Sequence, residues 1–174
     1  MAWWLTVYCR RSVAALSAEQ VRAGITGGDR EALAGVDYAT LAEDYDGVDD
    51  SLAYEAARAL AVSPRSDDPL DLELTFQPGL RPIVVHWSDE GARVAVEVQE
   101  AVELRNPPKI VRQSLGDVRE VVMIEMAFTQ VETMGIVFAF ELARYLAQKG
   151  DGLIVDDDKR WWHVVRGAFE PLED

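Results

Sequence analysis

The pattern of apolar and polar residues in the first third of the chain predicts one strand followed by small helices. Residues 3–9 combine aromatic residues with Thr and Val and lack helical spacing, which is typical of a strand. Residues 17–20 fit a capping box at the start of a helix that Gly27 is expected to end. Apolar residues at helical spacing over 52–60 predict another helix, which the Ser-Pro pair at 63–64 is expected to terminate.

The middle of the chain has the two-residue period of strands. Leu and Phe alternate with acids and Thr over residues 70–76, as in a strand with one exposed face. Residues 83–87 and the valine-rich stretch 94–104 follow after turns at 77–79 and 88–91. The pattern therefore predicts an antiparallel meander of three strands.

The last third predicts helices alternating with strands. Prolines open a short helix within residues 106–116, and the strongly apolar stretch 118–126 predicts a central strand. A long helix is expected over 130–149, with Gly150 as its left-handed terminating residue. Residues 153–165 predict a closing hairpin around an acidic turn.

Strands followed by segregated helices predict the α+β class. We expect a single α+β domain over residues 1–174, with a mainly antiparallel sheet and helices packed on one face. The loop at 63–69, which contains two prolines, is the candidate boundary if the domain has two lobes. The tail from Phe169 onward is expected to be loose.

Composition narrows the classes of function. The chain has 174 residues, 49% of them hydrophobic, and a net charge of −14, so nucleic acid and anionic membranes are disfavoured partners. Cys9 is the only cysteine, which excludes an internal disulfide, and its apolar surroundings predict a buried thiol. The N-terminus lacks the pattern of a signal peptide, and we expect a cytoplasmic protein.

Negative charge is concentrated over residues 29–73, where 13 acids stand against three arginines and account for −10 of the −14. A calcium loop starting at Asp44 would have its closing glutamate but Asp49 where the glycine belongs, whereas a start at Ala42 places Gly47 correctly and lacks that glutamate. Neither register predicts a metal site. Capping of the next helix by Asp49, Asp50 or Ser51 explains most of the cluster.

Catalytic signals are sparse. The chain has no GxSxG, GxGxxG or phosphate-loop pattern, so no cofactor is expected and an enzyme is disfavoured. His86 and His163 lie in predicted strands, and Glu100 and Glu125 interrupt apolar strand faces, where burial would raise a carboxyl pKa. One hypothesis is therefore an enzyme or a small-ligand-binding protein with its site near Glu100, Glu125 and His163. Ion pairs with nearby arginines are the simpler explanation of the two glutamates.

Two tryptophan pairs fall in predicted strands, Trp3 with Trp4 and Trp161 with Trp162. Neighbouring residues of a strand face opposite ways, so one member of each pair leaves the main core unless both sheet faces are covered. Large aromatic residues at a surface are typical of interface anchors. A sheet covered on both faces would bury them instead.

The C-terminal segment has a pattern that is also found in other proteins. Residues 138–147, the glycine turn and strand at 150–156, and Trp161 with Trp162 resemble several small uncharacterised bacterial proteins. Some of these are immunity proteins of bacterial toxin systems. The resemblance implies a small cytoplasmic protein that neutralises a basic toxin.

These observations favour a protein-binding module with a basic protein partner, such as an immunity protein docking through an acidic surface. Its expected partner-binding residues are the acids and aromatic anchors Asp37, Glu43, Asp44, Asp46, Asp49, Asp50, Trp3 and Trp162. The alternatives are the enzyme or small-ligand protein described above and a structural subunit of a homo-oligomer.

Overall fold

The structure, a computed structural model, describes residues 2–27, 50–91, 93, 108–130 and 133–172. The strands in these residues are β1 (Ala2–Cys9), β2 (Ala61–Pro64), β3 (Leu72–Thr75), β4 (Ile83–Ser88), β5 (Glu120–Ala127), β6 (Gly152–Val155), β7 (Trp161–Val165) and β8 (Ala168–Pro171). They form one antiparallel sheet with the spatial order β2-β3-β4-β5-β1-β6-β7-β8. The strands predicted at the N-terminus and at 118–126 are confirmed, and they are the two central strands.

The described stretches also contain four α-helices. These are α1 (Ala18–Thr26), α2 (Asp50–Ala59), α3 (Lys109–Leu115) and α4 (Met134–Gly150). A short 3₁₀ turn, Phe128–Gln130, precedes α4. The helices and the antiparallel sheet confirm the α+β class.

The helix α4 covers one face of the sheet and supplies most of the hydrophobic core. Its apolar side chains pack against the alternate residues of β1 and β5 that face it, including Leu5, Val7 and Val122. Phe138 of α4 is fully buried and meets Phe76 edge to face, with ring centroids 5.1 Å apart. The helices α1 and α2 pack beside α4. Burial of these apolar side chains is the main driving force of the fold.

The opposite face of the sheet is covered at one end by α3. Val111 and Leu115 of this short helix join a second hydrophobic cluster around Tyr8 and Trp161. Tyr8 and Trp161 stack with ring centroids 5.6 Å apart. The sheet therefore has a helix-packed face and a second face that α3 covers only in part.

The capping box predicted for α1 is confirmed. The Gln20 N–H donates to the Ser17 hydroxyl at 3.1 Å, and the Ser17 N–H donates to the Gln20 side chain at 2.9 Å. Gly27 ends the helix in the left-handed region at φ 78°. Glycine reaches that region without the steric cost that a Cβ atom imposes.

Gly150 has a different role from the predicted one. It is the last residue of α4, and the left-handed residue after it is Asp151, at φ 49°. A Cβ atom on Gly150 would stand 2.6 Å from the sulfur of Cys9. Glycine is required here because the end of the helix lies directly on β1, which local sequence does not reveal.

Two predicted segments have a different structure from the expected one. The helix at 52–60 ends at Ala59, and Ala61–Pro64 is a strand that pairs with β3. The tail from Phe169 is not loose, because β8 pairs with β7 and Leu172 is buried. The loop proposed as a lobe boundary joins two neighbouring strands of the same sheet. The strand predicted at 94–104 lies outside the described residues.

Both edge strands of the sheet contain a proline whose nitrogen faces outward. The Arg65 N–H donates inward to the Asp71 carbonyl at 2.8 Å, so the nitrogen of the preceding Pro64 points away from β3. The Leu172 N–H donates to the Trp161 carbonyl at 2.8 Å, so the nitrogen of Pro171 points away from β7. Each edge thus lacks a donor that an added strand would need.

Candidate functional site

Cross-strand pairing aligns side chains in rows on the sheet face that points away from α4. The first row contains Glu73, Val84, Glu125 and Trp4. The second row contains His86, Met123, Thr6 and Val155. We call these eight residues the open face, because all of them are half-buried or exposed.

The open face carries a polar cluster at its centre. Nε2 of His86 lies 3.1 Å from Oε2 of Glu125, across the pair of strands β4 and β5. The rings of Trp4 and His86 have their centroids 6.1 Å apart and are tilted by 33°. Three adjacent strands therefore place an indole, an imidazole and a carboxylate side by side.

Apolar and acidic groups share this surface. Met123 is 38% exposed, one of the large apolar side chains that the fold leaves in contact with solvent. Glu73 and Glu125 are acidic, and none of the eight open-face residues is Lys or Arg. The surface combines apolar contact area with negative charge.

A cavity of about 400 Å³ adjoins the open face at Val84 and Glu125, and Arg81 lies on its border. Gln130 holds this border in place. Its side-chain amide donates to the Arg81 carbonyl, and its side-chain oxygen accepts the Ala127 N–H at 2.8 Å. These two hydrogen bonds connect the end of β5 to the loop before β4, and Gln130 itself is fully buried.

The His86–Glu125 pair suits recognition better than catalysis. Both side chains are about one-third exposed, at 35% and 36%, so water reaches the pair freely. General acid–base catalysis needs a positioned proton acceptor beside a bound substrate, usually in a site that excludes bulk water. A side-chain pair that is about one-third exposed on a sheet face is better suited to contact the surface of another protein.

The structure does not bring the predicted catalytic residues together. Glu125 lies in β5 and His163 in β7, and with β1 and β6 between them their separation across the sheet is at least about 14 Å at the usual strand spacing. His163 pairs with Glu170 of β8 at 3.2 Å. Glu100 lies outside the described residues.

Glu125 shares its face with Val121 and Met123, as the alternation predicts. That face is the open one, whereas Val122 and Ile124 face the core under α4. The carboxylate is therefore about one-third exposed and does not lie in the apolar core, where the alternation had suggested it could be. Strand periodicity shows which residues share a face of the sheet. The position of α4 decides which of the two faces is covered.

The predicted aromatic anchors lie on the helix-packed side. Trp3 packs against Phe140 with centroids 5.8 Å apart, and the Trp162 indole donates to Asp156 at 3.3 Å and contacts Phe169. On the other side of the sheet, Trp161 is buried, and Trp4 is the half-buried tryptophan of the open face. Trp4 thus shares a face with His86, Met123 and Glu125, whereas Trp3 and Trp162, which are also half-buried, pack against the core under α4.

The predicted acidic residues fall largely outside the described part of the chain. Asp50 is the first residue of α2. The others lie in a stretch of which the structure describes nothing: Asp37, Glu43, Asp44, Asp46 and Asp49.

Sequence reasoning missed a buried carboxylate at the start of β5. Glu120 is 7% exposed and accepts hydrogen bonds from the Ser12 hydroxyl at 2.5 Å, the Val13 N–H at 2.8 Å and the Trp87 indole at 3.1 Å. These bonds join the segment after β1 to β4 and β5. A glutamate opening a central strand is the only sequence signal, and its donors come from two distant segments.

Cys9 and Tyr8 lie at the covered end of β1. Burial, and secondarily the negative charge of Glu120, raise the pKa of the Cys9 thiol to about 12. Burial also raises the pKa of Tyr8 to about 12. The buried thiol is confirmed, and it stays protonated at neutral pH, so it is not a nucleophile.

Comparison of the chain with family models, with curated proteins and with solved structures gave no match. In the described ranges, no three His, Cys, Asp or Glu side chains are grouped as metal ligands. No helix within those ranges has both the length and the apolar content needed to cross a membrane.

Proposed function

We propose that this protein is a protein-binding module that docks a basic partner against the open face of its sheet. The observation that carries the proposal is the combination of Trp4, Met123, Glu73 and Glu125 on one face, with no Lys or Arg among its eight residues. A net charge of −14 supports the choice of a basic partner. Like-charged surfaces repel, so an acidic partner would bind poorly.

Each group has a physical role in such docking. Trp4 and Met123 lose solvent contact when a partner covers them, and aromatic residues in desolvated centres contribute most of the energy of many interfaces. Glu73 and Glu125 attract basic side chains and raise the rate of encounter. His86 holds the Glu125 carboxylate at the centre of the surface.

The acidic residues 37–50 extend this proposal beyond the described residues. Their charge would add to the attraction for a basic partner at distances up to about 10 Å at moderate salt. In its narrower form, the proposal is that the partner is a basic toxin and the protein is its immunity protein in the bacterial cytoplasm. The C-terminal resemblance and the acidic composition support that narrower form.

The test begins with affinity capture to identify a partner and continues with association kinetics of the purified pair. Glu73→Gln with Glu125→Gln is expected to slow association several-fold at low salt and to reduce its salt dependence. The matched control is Asp117→Asn with Asp157→Asn, which removes two exposed acids elsewhere and should have a smaller effect. Arg81→Gln, which removes a positive charge beside the face, should speed association.

A second arm addresses the apolar contacts. Trp4→Ala is expected to speed dissociation about tenfold or more, because it removes the central aromatic contact. Ile110→Ala, at an exposed position of α3, is the control. Equal effects of the open-face and control variants would exclude the open face as the docking surface. A captured partner without a basic surface would contradict the proposal as a whole.

The homo-oligomer stays an alternative prediction, and the edge prolines limit its form. Because Pro64 and Pro171 each remove one outward donor, strand addition at either edge would lose a hydrogen bond there, which favours self-association through the open face. Light scattering that gives a multiple of 19.4 kDa, lost on Met123→Lys, would favour this alternative.

A further inference from the structure

A second cavity, of about 480 Å³, lies at the opposite end of the sheet from the first row of the open face. Its walls come from α3, from the last turn of α4, from β6 and β7, and from the turn between β7 and β8. Its volume is in the range of pockets that hold small molecules. Because distant segments build it, the cavity depends on the whole fold.

Two arginines border the cavity. Arg10 is held by Asp151, since its Nε donates to the Asp151 carbonyl at 2.9 Å and its Nη2 lies 3.0 Å from the Asp151 carboxylate. This pairing neutralises Asp151, and the other N–H donors of Arg10 have no acceptor among the residues that the structure describes. Arg166 makes no ion pair with any residue that the structure describes. The border thus carries one net positive charge in a strongly acidic chain.

Arg166 has an unusual backbone conformation. Val165 pairs with Ala168 across a two-residue turn, in which Arg166 has φ 51° and Gly167 has φ 85°. Positive φ at both central residues is the signature of a type I′ turn, which favours Asn, Asp or Gly at the first position. An arginine there is sterically disfavoured, and disfavoured backbone conformations cluster at functional sites.

The cavity also has an apolar side. Leu153 and Leu172 are almost completely buried beneath it, and Ile110 stands at its edge with 47% exposure. Ser114 and His163 also line the cavity. The lining therefore combines hydrogen-bond donors with hydrocarbon surface.

We propose that this cavity binds a small organic anion, with its carboxylate or phosphate on Arg166 and Arg10 and its apolar body against Leu153, Leu172 and Ile110. Arginine forms paired hydrogen bonds with either kind of oxyanion, which suits both head groups. This site is separate from the open face, and its failure would leave the docking proposal untouched.

The experiment titrates the folded protein with chosen probes and follows amide shifts by NMR. The probes are hexanoate, hexyl phosphate, inorganic phosphate and hexylammonium. Saturable shifts at Gly152 and Gly167 are expected with hexanoate or hexyl phosphate. Inorganic phosphate should bind more weakly because it lacks an apolar body, and hexylammonium should not bind there.

Arg166→Asn separates binding from folding. Asn is favoured at the first position of the turn, so this variant should keep or raise the Tm while weakening binding of the organic anion about tenfold. Arg65→Gln is the control, because Arg65 pairs with Asp71 in the loop between β2 and β3 and should leave binding unchanged.

Three outcomes would overturn the proposal. The first is that neither organic anion gives saturable shifts at the cavity. The second is that Arg166→Asn binds them as tightly as the wild type. The third is that hexylammonium or inorganic phosphate binds as tightly as the organic anions.

Discussion

The two faces of the central strands differ in burial, although their residues alternate along the same backbone. In β1, Leu5 and Val7 are fully buried against α4, whereas Trp4 and Thr6 remain half-buried on the other side. In β5, Ile124 is fully buried and Met123 is exposed. A helix laid along one face, and a short helix over only one end of the other, produce this contrast.

The contrast separates stability from recognition. Residues under α4 are surrounded by protein atoms, so a change in their volume affects the free energy of unfolding directly. Residues of the open face have solvent on one side and can change with little effect on folding. A binding surface can therefore be formed on this face without weakening the core.

The largest expected effect tests the helix-packed face. Phe138→Ala should lower the free energy of unfolding by about 3–5 kcal/mol, because it removes a fully buried ring and leaves a cavity beside Phe76. Urea unfolding measures the change. The control, Met123→Ala on the open face, should cost less than about 1 kcal/mol. Similar losses for the two variants would show that the faces do not differ as described.

The next effect concerns the end where α3 covers the second face. Tyr8 is neutral below its pKa, and burial raises that pKa from 10.0 to about 12. Tyr8 loses its proton at a lower pH in the unfolded chain than in the folded one, so its contribution to the free energy of unfolding is constant below pH 10 and falls as the pH rises toward 12. A shift of this size corresponds to about 2–3 kcal/mol.

Urea unfolding at a series of alkaline pH values measures this loss. Cys9, with a pKa raised from 9.0 to about 12, should add to it in the same direction. Tyr8→Phe removes the titrating hydroxyl and should flatten the pH dependence, leaving the contribution of Cys9. An unchanged slope in Tyr8→Phe would mean that Tyr8 is not buried as α3 and Trp161 indicate.

The third effect compares two glutamates of the same strand. Glu120→Gln should cost about 1–3 kcal/mol, because the amide cannot accept all three hydrogen bonds that the buried carboxylate receives. Glu125→Gln on the open face should cost less than about 1 kcal/mol, since its partner is solvent-exposed. Equal costs, measured by thermal unfolding of both variants, would remove the distinction between them.

Strand composition and periodicity carried most of the fold prediction. The aromatic, Thr and Val content of β1, the alternation around β3 and the apolar run of β5 each specify a strand from local sequence. Ala61–Pro64 has four residues and ends in proline, so its residue pattern is equally compatible with the end of a helix. Its strand pairing with β3 is a tertiary contact that no local pattern contains.

The candidate site was only partly predictable. The sequence singles out His86, Glu125 and the Trp3–Trp4 pair, but it does not give the strand order. The order β4-β5-β1 places His86, Glu125 and Trp4 together, and the distance from β5 to β7 separates Glu125 from His163. Which tryptophan of each pair is available depends on where α4 and α3 lie, which is again a tertiary property.

The smallest effect is the coupling between His86 and Glu125. A double-mutant cycle with His86→Ala, Glu125→Ala and the double variant should give a coupling energy of about 0.2–1 kcal/mol, as expected for a pair that water reaches. A coupling of several kcal/mol would mean that the pair is shielded, and the face around it would not be open. In the docked complex the same cycle should give a larger coupling, because a partner that covers Trp4 and Met123 removes water from the pair and strengthens its electrostatic attraction. The difference between the two cycles therefore reports directly whether docking occurs on this face.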